Sequence, residues 1–243
     1  MSELTIDIYA DGADVDEMLC ALKQPFIKGF TTNPTLMRKA GVTDYESFAS
    51  KVLTHITDLP ISFEVFSDDF DEMEQQARVI DSWGPNVYVK IPITDTKGAF
   101  SGKVIRALAN DGIKLNVTAL MTLEQVRAVT AALDPDVPAI VSVFAGRIAD
   151  AGVDPVPIMK ESLRILSARP QAKLLWASPR ELFNLVQADK IGCHVITVTP
   201  DILKKLAQLG KDLTRFSLET VQMFYDDAQK AGFALQTGSK VAV

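Results

Sequence analysis

Apolar side chains recur at every second position in a series of short runs, and at helical spacing in the longer stretches between them. The short runs, read as strands, are Leu4–Ala10, Ile27–Phe30, Ile61–Val65, Asn86–Pro92, Ile113–Thr118, Ala139–Val143, Lys173–Ala177 and Val195–Val198. A helical stretch is predicted after each run: from about Asp14 to Leu22, from Pro34 and from Tyr45 to Thr57, from Ser67 to Trp83, from Lys103 to Ala109, from Thr122, from Val156, from Ser178 and from Thr199. The run Ala139–Val143 is followed by a loop and then by a helix from Val156 to Ala168. Punctuation supports these boundaries. Thr122 and Gln125 have capping-box spacing, Pro34 suits a first helical turn, and Gly84-Pro85 ends a helix.

Repeated strand–helix units predict a parallel sheet, and eight of them can close into a barrel. The chain of 243 residues is close to the roughly 250 of such a barrel. The expected architecture is therefore a single (β/α)8 TIM barrel domain over residues 1–243 with an extra C-terminal helix at about 212–230. An open doubly wound sheet is the main alternative, but the turn after the first strand lacks a GxGxxG pattern.

One strand breaks the apolar pattern with a charge. In Asn86–Pro92, Val87, Val89 and Ile91 lie on one face and Tyr88 and Lys90 on the other. In a sheet covered on both faces, Lys90 points into the protein. An ammonium taken out of water loses hydration, which favours the free amine that attacks carbonyl carbon to form a Schiff base. A lysine on a strand also snorkels to the surface or pairs with a structural carboxylate, and its neighbours decide between these readings.

Composition narrows the function classes. The net charge is −6 with both signs spread along the chain, so nucleic acid and acidic membrane surfaces are not expected partners. Cys20 and Cys193 are the only cysteines and have no metal or redox spacing, and His55 and His194 form no ligand cluster. No metal and no cofactor is expected. The N-terminal sequence has no signal-peptide pattern and no run approaches the roughly 18 apolar residues of a membrane span, so the expected location is cytoplasmic.

The active site of a barrel lies at the C-terminal ends of its strands. Asp11, Asn33, Glu64, Lys90, Asn116, Thr118, Ser142, Arg147 and Ser178 all fall at or just beyond such ends. Asn33 and Ser178, each taken alone, read better as helix caps. A lysine, an arginine and two carboxylates need mutual pairing or use in an apolar interior. Lys114, Lys173 and Asp7 compete for the same roles but lie at the strand starts, where polarity serves stability. Ser178-Pro179-Arg180 reads as a helix start, and helix N-termini after the seventh strand commonly bind phosphate, here with Arg180 and Arg147 as cations.

The segments ADGADVDEM, GFTTNPTLM, ISFEVFS, VYVKIPIT, KLNVTALMT, VSVFAGRIADAG and LLWASPREL resemble, in order, the strand-end motifs of transaldolases. The short chain is similar to the compact subfamily that includes fructose-6-phosphate aldolases. The resemblance implies a metal-independent class I enzyme in which Lys90 is the Schiff-base lysine, Asp11 the acid/base, and Glu64 and Thr118 the pair that holds a proton-carrying water. It further implies that Asn33 and Asn116 bind substrate hydroxyls, and that Ser142, Phe144, Arg147, Ser178 and Arg180 line the substrate site, chiefly at its phosphate. Glu64 and Phe144 stand where the aldolases carry glutamine and tyrosine, which favours transfer over cleavage. Gly12 and Pro179 depart from the family's usual residues. The implied partners are small sugar phosphates and further copies of the chain. Aldolase-type cleavage, or a silent barrel that only binds sugar phosphates, are the alternatives.

Overall fold

The protein is described by a computed structural model, which covers residues 4–235. The described residues fall into two compact units, one running through Leu206 and the other beginning at Ala207.

The first unit is a closed barrel of eight parallel strands in sequential order. It runs β1 (Asp7–Asp11), α1 (Val15–Leu22), β2 (Ile27–Thr31), α2 (Pro34–Lys39), α3 (Tyr45–Leu53), β3 (Ile61–Glu64), α4 (Phe70–Asp81), β4 (Val87–Pro92) and α5 (Gly102–Asn110). It continues through β5 (Leu115–Leu120), α6 (Leu123–Ala132), β6 (Ala139–Val143), α7 (Ala145–Asp150), α8 (Pro155–Leu166), β7 (Ala172–Trp176), α9 (Phe183–Lys190), β8 (Val195–Val198) and α10 (Pro200–Lys205). The TIM barrel expected from the apolar spacing is the observed fold. The second unit carries α11 (Leu213–Lys230), capped by the Asp212 side chain. Among the described residues, no helix is long and apolar enough to cross a membrane.

Strand alternation divides the core in two. One apolar face, including Val87, Val89, Ile91, Leu115 and Val117, packs with helix residues such as Met73, Leu108, Val126 and Leu185. The other face points to the barrel axis, where Tyr9, Ile140, Leu175, Ala177 and Val195 form a smaller cluster with Tyr88 against it. Gly29, paired with Tyr9 across β1 and β2, makes room for that ring: a Cβ there would lie 2.6 Å from its Cζ. This plug fills the barrel beneath the polar rim.

Three local expectations are corrected. β5 continues past Thr118 because Ala119 takes a left-handed conformation (φ 66°) and the pairing with β6 shifts register between Val117 and Leu120, as a bulge allows. The segment after Val143 forms the short helix α7, not a loop. The helix expected from Ser178 begins only at Phe183. Ser178 has φ 60°, so it lacks the extended backbone of an N-cap, and its carbonyl turns toward Gly146.

Candidate active site

β3 and β4 pair in register with Glu64 opposite Lys90. Because both point inward, the lysine Nζ lies 3.0 Å from Glu64 Oε2 and also donates to the Thr32 carbonyl at 3.0 Å. Lys90 is only 7% exposed. A charged lysine this enclosed needs such partners. The Glu64 carbonyl in turn accepts from Tyr45 Oη at 2.9 Å, which braces the end of β3 from α3.

Asp11 ends β1, where its Oδ1 accepts from Thr31 Oγ1 at 2.8 Å. Thr31 Oγ1 also contacts Thr197 Oγ1. Since Thr31 gives its hydrogen to the carboxylate, Thr197 is the donor of that second bond. Burial pushes the Asp11 carboxyl above the ordinary aspartate range, opposed by the nearby Lys90 charge and the Thr31 hydroxyl and reinforced by Glu64. A carboxyl raised in this way can both take and return a proton.

On β5, Asn116 is fully buried. Its Nδ2 donates to Ser62 Oγ at 2.9 Å, and its Oδ1 accepts from Ser142 Oγ at 2.7 Å. Ser142 therefore spends its hydrogen on Asn116 and orients it. Thr118 follows Asn116 on the same face; its Oγ1 is buried and makes no hydrogen bond within the protein. A buried hydroxyl without a partner is uncommon, and this one sits immediately before the left-handed Ala119. Backbone strain of this kind gathers at functional sites.

The remaining expected residues lie beyond the strand ends, Asn33, Phe144, Ser178 and Arg180 in connections and Arg147 within α7. Asn33 is the N-cap of α2, its Oδ1 accepting from Leu36 N at 3.0 Å. Phe144 lies under the Arg147 guanidinium, 5.9 Å from ring centroid to Cζ. Arg180 reaches across from the β7–α9 loop to pair with Asp150 at the end of α7. The competing residues are placed at the opposite end: Lys173 Nζ pairs with Asp7 Oδ2 at 2.8 Å, and Lys114 Nζ bonds the Pro85 carbonyl. Among the described residues, no group of three or more His, Cys, Asp or Glu side chains is arranged to hold a metal.

Thr31, Thr197, Tyr45 and Asp150 join the site without standing out in the sequence pattern. Thr31 is the first threonine of the TTNP segment and lies at a strand end, a signal available beforehand; the other three are brought in by packing.

Fold and rim define the class: a (β/α)8 barrel whose polar centre is a lysine between carboxylates. The family model for Transaldolase/Fructose-6-phosphate aldolase matches residues 8–237. A probable transaldolase from Dehalococcoides mccartyi is 33% identical over 202 residues, covering 83% of this chain and 90% of the relative. Another, from Thermoanaerobacter sp., is 34% identical over 228 residues, covering 93% and 99%. A crystal structure of a candidate phosphonomutase from Burkholderia cenocepacia shares the fold at TM-score 0.53 and 14% identity, covering 85% of this chain and 93% of that one. The chain belongs to the transaldolase/fructose-6-phosphate aldolase family, which places its chemistry in the transaldolase and aldolase class.

Proposed function

We propose that the protein is a class I transaldolase that moves a dihydroxyacetone unit from a ketose phosphate to an aldose phosphate through a Schiff base on Lys90. The observation that carries this reading is the enclosed Lys90 amine held 3.0 Å from Glu64 Oε2, on the rim that also bears Asp11 and Thr118. The amine of Lys90 adds to the donor's C2 carbonyl, and loss of water gives the iminium. Glu64 and Thr118 steer the water and protons of that step. Asp11 takes the proton of the C4 hydroxyl, the C3–C4 bond breaks, and its electron pair moves into an enamine as the aldehyde leaves. The enamine carbon then attacks the aldehyde of the acceptor, Asp11 returns the proton, and water releases the product. With sedoheptulose 7-phosphate and glyceraldehyde 3-phosphate, the products are erythrose 4-phosphate and fructose 6-phosphate, the exchange of the pentose phosphate pathway. Fructose 6-phosphate serves as donor in the reverse direction.

In this reading Asn33 and Asn116 bind substrate hydroxyls, Ser142 orients Asn116, and Phe144, Arg147, Ser178 and Arg180 line the phosphate end. Glu64 and Phe144, in place of glutamine and tyrosine, favour transfer over simple cleavage. Cytoplasmic work suits the two unpaired cysteines. Assembly of several copies is part of the proposal, because α11 presents Leu218, Val221, Phe224 and Tyr225 at 57–64% exposure, and apolar surface on that scale is commonly covered by a partner. Sedimentation as a monomer would overturn the assembly.

The chemistry is tested by intact mass after incubation with fructose 6-phosphate and borohydride, for wild type and Lys90→Ala. A reduced three-carbon adduct mapped to Lys90 and absent from the variant is expected. No adduct on folded wild-type protein would replace the enzyme by a sugar-phosphate-binding barrel.

A further inference from the structure

Arg180 is held at its backbone and at its guanidinium. Its backbone N–H donates to Asn184 Oδ1 at 2.7 Å. Its Nε passes over Gly146, 3.4 Å from where a Cβ would stand. Its guanidinium grips the Asp150 carboxylate with two atoms, Nε to Oδ1 at 2.9 Å and Nη2 to Oδ2. The last contact uses two of the five guanidinium N–H groups, one on Nε and one on Nη2. Of the three that remain, one on Nη1 and one on Nη2 point out along the Nη1–Nη2 edge, in the geometry that receives a phosphoryl group with two parallel bonds.

We propose that Asp150 is a positioning residue for substrate phosphate: it clamps one edge of Arg180 so that the other edge is presented to the phosphoryl group. The proposal rests on the sugar-phosphate reading above. A long, exposed arginine otherwise samples many rotamers, and fixing it before binding removes that ordering cost from the binding step. Arg147 lies close enough to act on the Asp150 carboxylate, which the Arg180 hydrogen bonds and the two positive charges hold below the usual aspartate range. The group therefore carries two cations and one anion, and a simple charge argument makes an opposite prediction. If Asp150 only offsets positive charge, removing its charge strengthens phosphate binding; if it positions Arg180, removal weakens it.

The test measures KM and kcat of the full chain with fructose 6-phosphate and with fructose as donors, for wild type, Asp150→Asn and Asp150→Glu, together with the stabilisation of each by inorganic phosphate in thermal melts. Asp150 and Arg180 are 53% and 45% exposed, so losing the pair should leave folding intact. For Asp150→Asn the expected result is a rise of about tenfold in KM for fructose 6-phosphate with kcat within about twofold, no change with fructose, and a smaller melting shift from phosphate. Asp150→Glu keeps the charge but displaces the clamp, and its KM should fall between the two. An unchanged or lower KM in Asp150→Asn, or the same loss with fructose, overturns the proposal. Failure of the wild type to form a borohydride-trapped adduct with either sugar instead defeats the transaldolase reading, while the phosphate melts still report on the clamp.

Discussion

Glu64 and Lys90 are register partners on adjacent strands, so their ion pair is a direct product of how β3 and β4 align. A slip of either strand by one residue would turn that strand's side chain to the opposite face and break the pair. The 3.0 Å contact ties the Lys90 amine to a single carboxylate oxygen. Glu64→Gln preserves shape and removes that charge. We expect Lys90 still to be trapped by borohydride, while transfer to an acceptor falls about tenfold more than cleavage without one, within the range of general acid–base effects. Parallel assays with and without acceptor aldehyde check this; equal loss in both would separate Glu64 from the choice between them.

Asp11 should trade stability for activity. Its carboxyl is raised, chiefly by burial, so the folded state holds the proton more tightly than the unfolded chain. Stability from this group therefore falls as pH rises from the ordinary aspartate range through the raised value, and the charged form is a burden at neutral pH. Asp11→Asn removes the burden and, with it, the base of the proposed mechanism. The expected outcome is a loss of 10²- to 10⁴-fold in kcat, on the order typical for a general base, with a higher melting temperature at pH 7.5 and little gain at pH 3. A lower melting temperature at pH 7.5 would contradict the assignment of the raised carboxyl.

Gly146 and Ser178 hold together the two segments that carry the arginines, α7 with Arg147 and the loop with Arg180. A Cβ at Gly146 would stand 1.5 Å from the Ser178 carbonyl oxygen, a backbone atom that cannot swing aside. Gly146→Ala should cost about 3 kcal/mol in urea unfolding, at the upper end of overpacking effects, and raise KM for phosphorylated donors as the Ser178–Arg180 segment is pushed away. Wild-type stability and KM in this variant would mean that the close approach is not required.

His194, at the other end of the barrel, gives a pH dependence unrelated to catalysis. Its Nδ1 accepts from the Leu174 N–H at 2.8 Å, and burial together with Lys173 lowers its pKa despite Asp7. A histidine held neutral contributes stability that is complete above its unfolded value of about 6.5 and is lost as pH falls below it, through the lowered folded value. The urea midpoint should decline from pH 7.5 to 5, with a shallower decline in His194→Asn. Identical pH slopes would remove His194 from the account.

Much of this site was legible beforehand for a simple reason. In a parallel barrel, strand period and strand direction assign each residue an inside or outside face and a top or bottom position, and both can be read from the local pattern. Lys90, Glu64, Asn116 and Thr118 were readable on those grounds alone, and Asp11 was separated from Asp7 by height along one strand. The loops lacked such a rule. Ser178 and Pro179 have the composition of a helix start, and only the carbonyl packed against Gly146 reveals a left-handed turn that delays α9 to Phe183.

By itself the sequence determined the alternation of strand and helix, the closed count of eight and the inward polarity of the rim, because these follow from periodicities of two and about 3.6 residues that no distant contact needs to supply. Tertiary structure alone decided the partners. The Thr197–Thr31–Asp11 chain, the Asn116 amide shared between Ser62 and Ser142, and the Asp150 clamp on Arg180 join residues 20 to 166 positions apart. Side-chain hydrogen bonds depend on ångström distances set by barrel closure, and nothing in the local order of residues encodes those distances.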